Sequence, residues 1–329
     1  MNLNTTYLGL KLKNPLVPSA GPFSKTLDSM KALEDAGASA IVMYSLFEEQ
    51  IEHEAAELEH YLVKGTESYA EAVNYFPKTE EYNLGPEEYL EHLQDAKRSV
   101  EIPVIGSLNG ISTGGWTSYA KKMEEAGADA IELNVYYIAA DSKLSSLEVE
   151  DRYVNVLHEV KRSVNIPVAI KLSPYFSSMA HMAIRLDKAG ANGLVLFNRF
   201  YQPDINLDSL AVEPNVVLST SDAMRLPLRW IAILKGQVKA SLAATSGIHT
   251  AQDVIKMLMA GADITMMCSA ILKNGPKHLR SVLLEMEKWM QEKEYESVEQ
   301  MKGSMSAASV PNPSAFERAN YMKALNQYK

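Results

Sequence analysis

The sequence lacks the features on which several classes of protein depend. Its 329 residues include one cysteine, Cys268, so no disulfide can form within the chain. No apolar run approaches the roughly 20 residues that a membrane-spanning helix needs. The opening MNLNTTYLGLKLKN has no apolar core of the kind that secretion signals carry. We therefore expect a protein of the cytoplasm, where thiols stay reduced.

Acidic residues outnumber basic ones, 41 to 32. The net charge is −9 at pH 7 and no basic face is concentrated in the sequence, so we expect neither nucleic acid nor membrane as a partner. His53 and His60 lie seven residues apart and miss the spacing of a helical zinc site, so we expect no metal. With 47% hydrophobic and 22% charged residues, the composition is that of a globular protein with a sizeable core.

One pattern of helix end, glycine turn and strand recurs four times. It reads EDAGASAIVMYS at 34–45, EEAGADAIELNV at 124–135, DKAGANGLVLFN at 187–198 and LMAGADITMMCS at 258–269. The glycine suits the position just past a helix C-terminus, and the apolar run after it suits a buried strand. Further short strands lie between these units, in NPLVPSAG at 14–21, EIPVIGSL at 101–108, NIPVAIKL at 165–172 and QVKASLAA at 237–244.

Interleaving the two sets gives eight strands that alternate with helices. This alternation implies parallel pairing and predicts an α/β TIM barrel, (β/α)8. A doubly wound open sheet is the alternative, but no G-x-G-x-x-G fingerprint supports it. We expect one barrel domain at 1–310, opened by a small N-terminal hairpin, and a C-terminal tail or partner-contacting segment at 311–329. The long connections 46–98 and 199–228 predict insertions at the C-terminal face, where barrel enzymes carry their chemistry.

Polar and small residues collect where the predicted strands end. Lys171, in VAIKLSPYF, should point into the barrel mouth, where a buried cation needs an anionic or carbonyl partner. The alternative is a lysine that extends to solvent. The last two strands end in ATSGIHTAQD and MCSAILKNGP, whose small residues favour phosphate binding by backbone N–H groups, although two ordinary turns are the alternative. We expect Cys268 to be a small buried residue and not a nucleophile.

With these strand ends in view, the chain resembles the dihydroorotate dehydrogenase family, and specifically its soluble fumarate-type branch. The resemblance covers nearly the whole chain, and its more specific pieces are NPLVPSAGPF, IELN, IPVAIKLSPYF and ATSGIHTAQDVIKMLMAGADITMMCSAIL. It implies an FMN-dependent barrel that oxidises dihydroorotate to orotate in pyrimidine biosynthesis and passes electrons to a soluble acceptor. Many soluble members are dimers, so a homodimer is expected.

The resemblance also implies roles for individual residues. Contacts to the flavin ring and ribityl chain fall on Ala20, Gly21, Ser45, Ser107, Asn134 and Lys171. Contacts to the phosphate fall on Ser246, Gly247, Cys268 and Ser269. Substrate contacts fall on Asn134 and Asn198, and on Asn74 in AVNYFP.

Several positions depart from the family's pattern. The family's Asn-Leu-Ser-Cys-Pro-Asn reads Asn-Val-Tyr-Tyr-Ile-Ala at 134–139, so Tyr137 stands in place of the cysteine base and Ala139 in place of a substrate asparagine. Tyr44 replaces a flavin-contacting lysine, and Arg199 stands where Ser or Thr is usual. FMN binding is therefore better supported than dihydroorotate oxidation.

The replacement makes Tyr137 the candidate base. A phenol is a weak base at neutral pH unless a cation stabilises its anion, and Lys171 or Arg199 could supply that cation. The alternative is that both tyrosines of the segment fill the pocket or stack beside the flavin.

Three functions are consistent with these residues. The first is an FMN-dependent oxidoreductase that acts on the CH–CH group of dihydroorotate or a related small cyclic substrate. The second is an aldolase-type lyase in which Lys171 forms a Schiff base and the turn at 245–247 holds a substrate phosphate. The third is a flavoprotein that keeps the scaffold and has lost the reaction.

Overall fold

The computed structural model describes residues 1–51, 85–110, 116–199, 202–318 and 320–326. Its strands are β1 (Thr5–Tyr7), β2 (Leu10–Leu12), β3 (Leu16–Pro18), β4 (Ile41–Val42), β5 (Leu46–Phe47), β6 (Val104–Gly110), β7 (Ala130–Val135), β8 (Val168–Leu172), β9 (Gly193–Leu196), β10 (Gln202–Asn206), β11 (Ala211–Asn215), β12 (Ser241–Ala244) and β13 (Ile264–Met267). Its helices are α1 (Leu27–Asp35), α2 (Pro86–Ser99), α3 (Trp116–Glu125), α4 (Ser146–Ser163), α5 (Met179–Lys188), α6 (Arg225–Leu234), α7 (Ala251–Ala260), α8 (Ser269–Asn274), α9 (His278–Glu292), α10 (Val298–Met301) and α11 (Tyr321–Leu325). Short 3-10 turns occupy Pro22–Ser24, Ser221–Met224 and Pro313–Phe316.

Eight parallel strands of the described chain form a nearly closed barrel. Their order around it is β3, β13, β12, β9, β8, β7, β6 and β4. β3 and β4 are not paired as strands, but Ser39 links them: its N–H and Oγ donate to the Leu16 carbonyl oxygen at 3.0 and 2.8 Å. Seven of these strands fall within the segments predicted from the sequence, and β6 extends two residues beyond its segment at 101–108. The barrel is therefore confirmed and the open sheet is wrong.

The repeated helix–turn–strand pattern has a local cause. Its four glycines have φ between +95° and +123°, a left-handed backbone that ends the preceding helix; they are Gly37, Gly127, Gly190 and Gly261. Helix starts are equally local. At α4 the Ser145 Oγ accepts from the Glu148 N–H, and the Glu148 carboxylate accepts from the Ser145 N–H in return.

The N-terminal hairpin predicted from the sequence closes one end of the barrel. Tyr7 and Leu8 are buried against small inward residues of the barrel strands. The Leu8 N–H donates to the Ser241 Oγ at the start of β12 (3.2 Å), and the Thr5 hydroxyl donates to the Asp263 carbonyl oxygen (2.8 Å). This end of the barrel is therefore filled by packing.

The long connections leave from the opposite end. β5 pairs with the far end of β6, so the 46–98 connection starts at the C-terminal face; residues 52–84 of it lie outside the described chain. The hairpin β10–β11 follows β9 and exposes Ile205, Leu207, Leu210 and Val212.

The predicted tail lies largely on the surface. Apart from Phe316, every residue of 311–326 whose side chain is described is exposed. The domain boundary near 310 stays a prediction. Within the described ranges, no helix is long and apolar enough to cross a membrane.

Candidate active site

The inward side chains of β7 change from apolar to polar towards the barrel mouth. Ala130 belongs to the apolar cluster around the N-terminal hairpin, whereas Glu132 and Asn134 are buried polar residues two and four positions later. Asn134 is level with Lys171 on the neighbouring strand β8. Because successive strand residues alternate sides, these polar groups line the same interior.

Lys171 points into the barrel and is only 5% exposed, so the prediction of an inward lysine is confirmed and extension to solvent is wrong. Its Nζ lies 3.3 Å from the Glu132 Oε1 and 3.4 Å from the Ser19 Oγ. The anionic partner that a buried cation requires is therefore Glu132. Sequence reasoning missed this residue, although strand alternation places it on the same face as Asn134.

The two predicted substrate asparagines meet at the mouth. Asn198 Nδ2 donates to Asn134 Oδ1 at 2.8 Å, from strands that flank β8 on either side. Asn74, the third predicted substrate residue, lies outside the described residues, as do His53 and His60.

Ser45 and Ser107 also come together, with 2.9 Å between their hydroxyl oxygens. Ser107 is level with Glu132 across the β6–β7 pair, so this contact faces the interior.

Tyr44 points the other way. Its ring packs edge-on against Tyr89 of α2, and burial followed by the charge of Glu88 raises the pKa of Tyr44 to about 12. The residue at the family's lysine position thus contacts the helix layer.

Gly21 and Cys268 lie side by side. A Cβ atom on Gly21 would approach the Phe23 ring to 2.9 Å and the Cys268 Sγ to 3.2 Å. Burial raises the pKa of the Cys268 thiol, and the charge of Lys171 only partly offsets that rise. Burial thus favours the protonated thiol, and the prediction that Cys268 is not a nucleophile stays a prediction. Ala20 is partly buried against the interior cluster.

The turn after β12 has an unusual backbone. Ser246 and Gly247 both have φ of +76°, and the Ser246 hydroxyl donates to the Phe197 carbonyl oxygen at 2.9 Å. A Cβ on Gly247 would lie 2.3 Å from the Met224 backbone nitrogen. Only glycine therefore fits against the 3-10 turn Ser221–Met224.

Residues from several loops surround the start of α8. Ser269 Oγ accepts from the Ser219 N–H at 3.1 Å, while the Ser219 hydroxyl lies 3.0 Å from His249 Nε2. Lys273 donates to the Ser219 carbonyl oxygen at 3.1 Å. Burial, followed by the positive charge of Lys273, lowers the pKa of His249. We missed Ser219, His249 and Lys273 because their proximity depends on the folded arrangement of separate loops.

Tyr137 lies in the loop directly after β7 and is half-buried. The cation on its ring is Arg152 of α4, whose guanidinium carbon lies 4.8 Å from the ring centroid. This cation differs from the two that the sequence suggested. The role of Tyr137 as a base stays a prediction.

A cleft of about 380 Å³ opens beside the ends of β8, β9 and β12. Its lining includes Asn198, Arg199, Tyr175, Arg225 and Ser246. The volume is in the range of small-molecule sites, and the cleft connects a predicted substrate residue with a predicted phosphate residue. Arg199 thus lies where an anionic group of a ligand could be bound.

The C-terminal end of this barrel brings together a buried lysine, paired amides and turns of small residues. Such an arrangement is typical of barrel enzymes that bind small ligands. The comparison with protein families is more specific. The profile of the family described as dihydroorotate dehydrogenase matches residues 2–290. The chain belongs to the dihydroorotate dehydrogenase family.

Named relatives extend over most of the chain. A protein of Thermoplasma volcanium named dihydroorotate dehydrogenase B (NAD(+)), catalytic subunit, is 30% identical over 308 residues, covering 92% of this chain and 98% of the relative. A protein of Thermoplasma acidophilum with the same name is 27% identical over 307 residues, with the same coverage. A protein of Aeropyrum pernix, provisionally named dihydroorotate dehydrogenase A (fumarate), is 28% identical over 209 residues, 61% of this chain and 67% of the relative. The family is confirmed, and the fumarate-type branch stays a prediction.

Proposed function

We propose that the protein is an FMN-dependent oxidoreductase that oxidises dihydroorotate, or a related small cyclic substrate, at a CH–CH bond. The observation that carries this proposal is the buried Lys171 beside the Asn134–Asn198 pair, at positions where the family has its flavin and substrate contacts. The names of the relatives support the substrate and a role in pyrimidine biosynthesis.

The hydrogen-bonding capacity of the mouth fits both ligands. An ammonium has three N–H donors, and Lys171 has two contacts within the described ranges, which leaves one donor for a flavin. The Asn198-to-Asn134 hydrogen bond uses neither the side-chain NH2 group of Asn134 nor the side-chain oxygen Oδ1 of Asn198, so both remain available to a substrate. A cyclic amide offers the complementary acceptor and donor. The turns at 246–247 and 268–269 supply small residues for the phosphate of FMN.

The chemistry that bound FMN would supply is the acceptance of a hydride from the substrate carbon. In the proposed mechanism Asn134 and Asn198 hold the substrate ring, and Lys171 stabilises negative charge that develops at the mouth. Tyr137 is the proposed base for the proton of the adjacent carbon, because it occupies the family's base position in the loop after β7. A soluble electron acceptor completes the cycle. The homodimer and the cytoplasmic location remain predictions.

The ion pair between Lys171 and Glu132 disfavours the aldolase-type lyase. Schiff-base formation needs a neutral amine, whereas Lys171 is bonded to the Glu132 carboxylate. A flavoprotein without the reaction remains the second candidate, because Tyr137 and Ala139 replace two of the family's functional residues.

The test is the absorbance spectrum of the purified protein, without oxygen, before and after dihydroorotate is added. We expect flavin absorption that bleaches with the substrate, and free FMN mixed with dihydroorotate serves as the control. A colourless protein that does not take up added FMN would contradict flavin binding. Flavin that stays oxidised would favour another substrate or a lost reaction.

A further inference from the structure

Glu132 is a buried carboxylate to which the proposed function assigns no role. It is 1% exposed and lies inside the barrel on β7, one layer below Asn134. One oxygen contacts Lys171 at 3.3 Å. The other oxygen, Oε2, has no hydrogen-bond partner within the described part of the chain.

This geometry makes the Glu132–Lys171 pair a poor stabilising interaction. Removing two charges from water is repaid only when the contact is close and the remaining polar atoms are bonded. A strong charge-assisted hydrogen bond is about 2.7–2.9 Å long. The pair is 3.3 Å long and one carboxylate oxygen has no partner in the described parts of the chain, so it meets neither condition. Because stability does not account for the pair, its position directly behind the predicted flavin contacts indicates a functional role.

Lys171 is the cation that contacts Glu132. The nearby Tyr7 adds no second negative charge to the interior. The Tyr7 hydroxyl is also buried and without a partner among the described residues. Burial, followed by the charges of Glu132 and Asp263, raises the pKa of Tyr7 well above its usual value, so the phenol stays neutral. The charge at the centre of the barrel is therefore set by Glu132 and Lys171 together.

We propose that Glu132 is a positioning residue that holds Lys171 at the mouth and offsets part of its charge, which limits how strongly the protein stabilises reduced, anionic flavin. The inference rests on the proposed function. A lone ammonium would attract the extra negative charge of a reduced ligand, and a carboxylate directly behind it weakens that attraction.

The first test is the reduction potential of bound FMN in four proteins: wild type, Glu132→Gln, Lys171→Met and the double variant. Glutamine keeps the shape of Glu132, and its amide oxygen can still accept from Lys171. Glu132→Gln should therefore raise the ratio of reduced to oxidised FMN affinity by about tenfold, which is about 30 mV for two electrons. Lys171→Met should lower the ratio, and the double variant should lie between the two single variants.

The second test is the free energy of unfolding of the same four proteins without flavin. Lys171→Met leaves a buried carboxylate unpaired and should destabilise the chain. Adding Glu132→Gln should recover most of that loss, because it removes the unpaired charge. Tyr7→Phe is the matched control in the same interior: it removes an unbonded hydroxyl without changing charge, so the flavin potential should stay at the wild-type value.

The outcomes separate this inference from the proposed function. A wild type that binds no FMN would overturn the proposed function and the inference with it. A wild type that binds FMN, with a Glu132→Gln potential that is unchanged or lower, would overturn the inference alone. A double variant no more stable than Lys171→Met would show that the two charges are not coupled and would overturn it as well.

Discussion

Two buried lysines, one at each end of the barrel, differ in how their hydrogen bonds are used. The side chains of Lys171 and Lys302 are 6% and 9% exposed. Lys302 lies 3.0 Å from Asp263, 2.5 Å from Glu299 and 3.4 Å from the Thr5 hydroxyl, so all three of its N–H donors have acceptors. Lys171 has two long contacts.

The difference teaches that burial of a charge does not by itself indicate function. Burial lowers the pKa of Lys302, but Glu299 and Asp263 outweigh that effect and raise it overall. This lysine joins α10 to the closed end of the barrel. At the mouth, one N–H of Lys171 and one oxygen of Glu132 have no partner among the described residues, and the N–H of Lys171 leaves capacity for a ligand.

The largest effect should come from removing Lys302, and this effect should be confined to stability. We expect Lys302→Met to lower the free energy of unfolding by about 3 kcal/mol, the lower end for broken buried pairs. The loss is limited because Asp263 keeps the hydrogen bond from the Leu242 N–H. Urea denaturation measures it, and the affinity and potential of FMN should match the wild type. A shifted FMN reduction potential in Lys302→Met would show that Lys302, like Lys171, influences the flavin and would contradict the comparison.

At the mouth, Tyr137→Phe should spare stability and slow the chemistry. If the phenol removes the substrate proton, its loss should slow flavin reduction by a factor on the order of 100. Stopped-flow reduction by dihydroorotate measures this rate, with Tyr136→Phe as the neighbouring control. Wild-type rates in Tyr137→Phe would instead support the alternative that the tyrosines fill the pocket.

The fold was predictable because its signals are local and repeated. Glycines such as Gly37 and Gly261 stop a helix within a few residues of the next strand, and the pattern recurs around the barrel. The inward direction of Lys171 was equally predictable, because strand alternation needs no knowledge of distant residues.

The missing parts of the site depend on long-range register. Glu132 was visible inside IELN, but its pairing with Lys171 depends on how β7 aligns with β8. Arg152 reaches Tyr137 from α4, and His249 reaches Ser219 from another loop. Sequence spacing carries no signal for such contacts.

The phosphate assignment needs a variant that keeps the fold. A side chain at Gly247 would collide with backbone and test packing instead of charge. Ser269→Asp is better suited, because a carboxylate can still accept from the Ser219 N–H as the hydroxyl does. Its charge should weaken FMN binding by a factor on the order of ten or more, through repulsion of the phosphate.

Riboflavin, which lacks the phosphate, is the matched ligand for this test. Its affinity should be the same for Ser269→Asp and wild type, and the neutral variant Ser269→Asn should bind both ligands normally. Equal weakening of FMN and riboflavin would mean that the substitution disturbs the ring site. Undiminished FMN affinity would remove Ser269 from the phosphate site.

The smallest expected effect is a pH dependence that arises beside the same turn. Burial and the charge of Lys273 lower the pKa of His249 from its ordinary value of 6.5. The unfolded chain then binds a proton more readily than the folded chain, so the contribution of His249 to stability is lost as the pH falls from about 6.5 through the lowered pKa. His249→Gln removes this titration, and its amide can still reach the Ser219 hydroxyl.

Between about pH 8 and pH 5, the free energy of unfolding should therefore fall less in His249→Gln than in the wild type. Urea denaturation across this range measures the difference. His181→Gln, at an exposed position of α5, is the control and should follow the wild type. Parallel curves for wild type and His249→Gln would contradict the prediction. A flatter curve for His249→Gln would mean that folding holds His249 in its neutral form beside Ser219, so that at neutral pH Lys273 is the charged side chain on Ser219 and His249 is not.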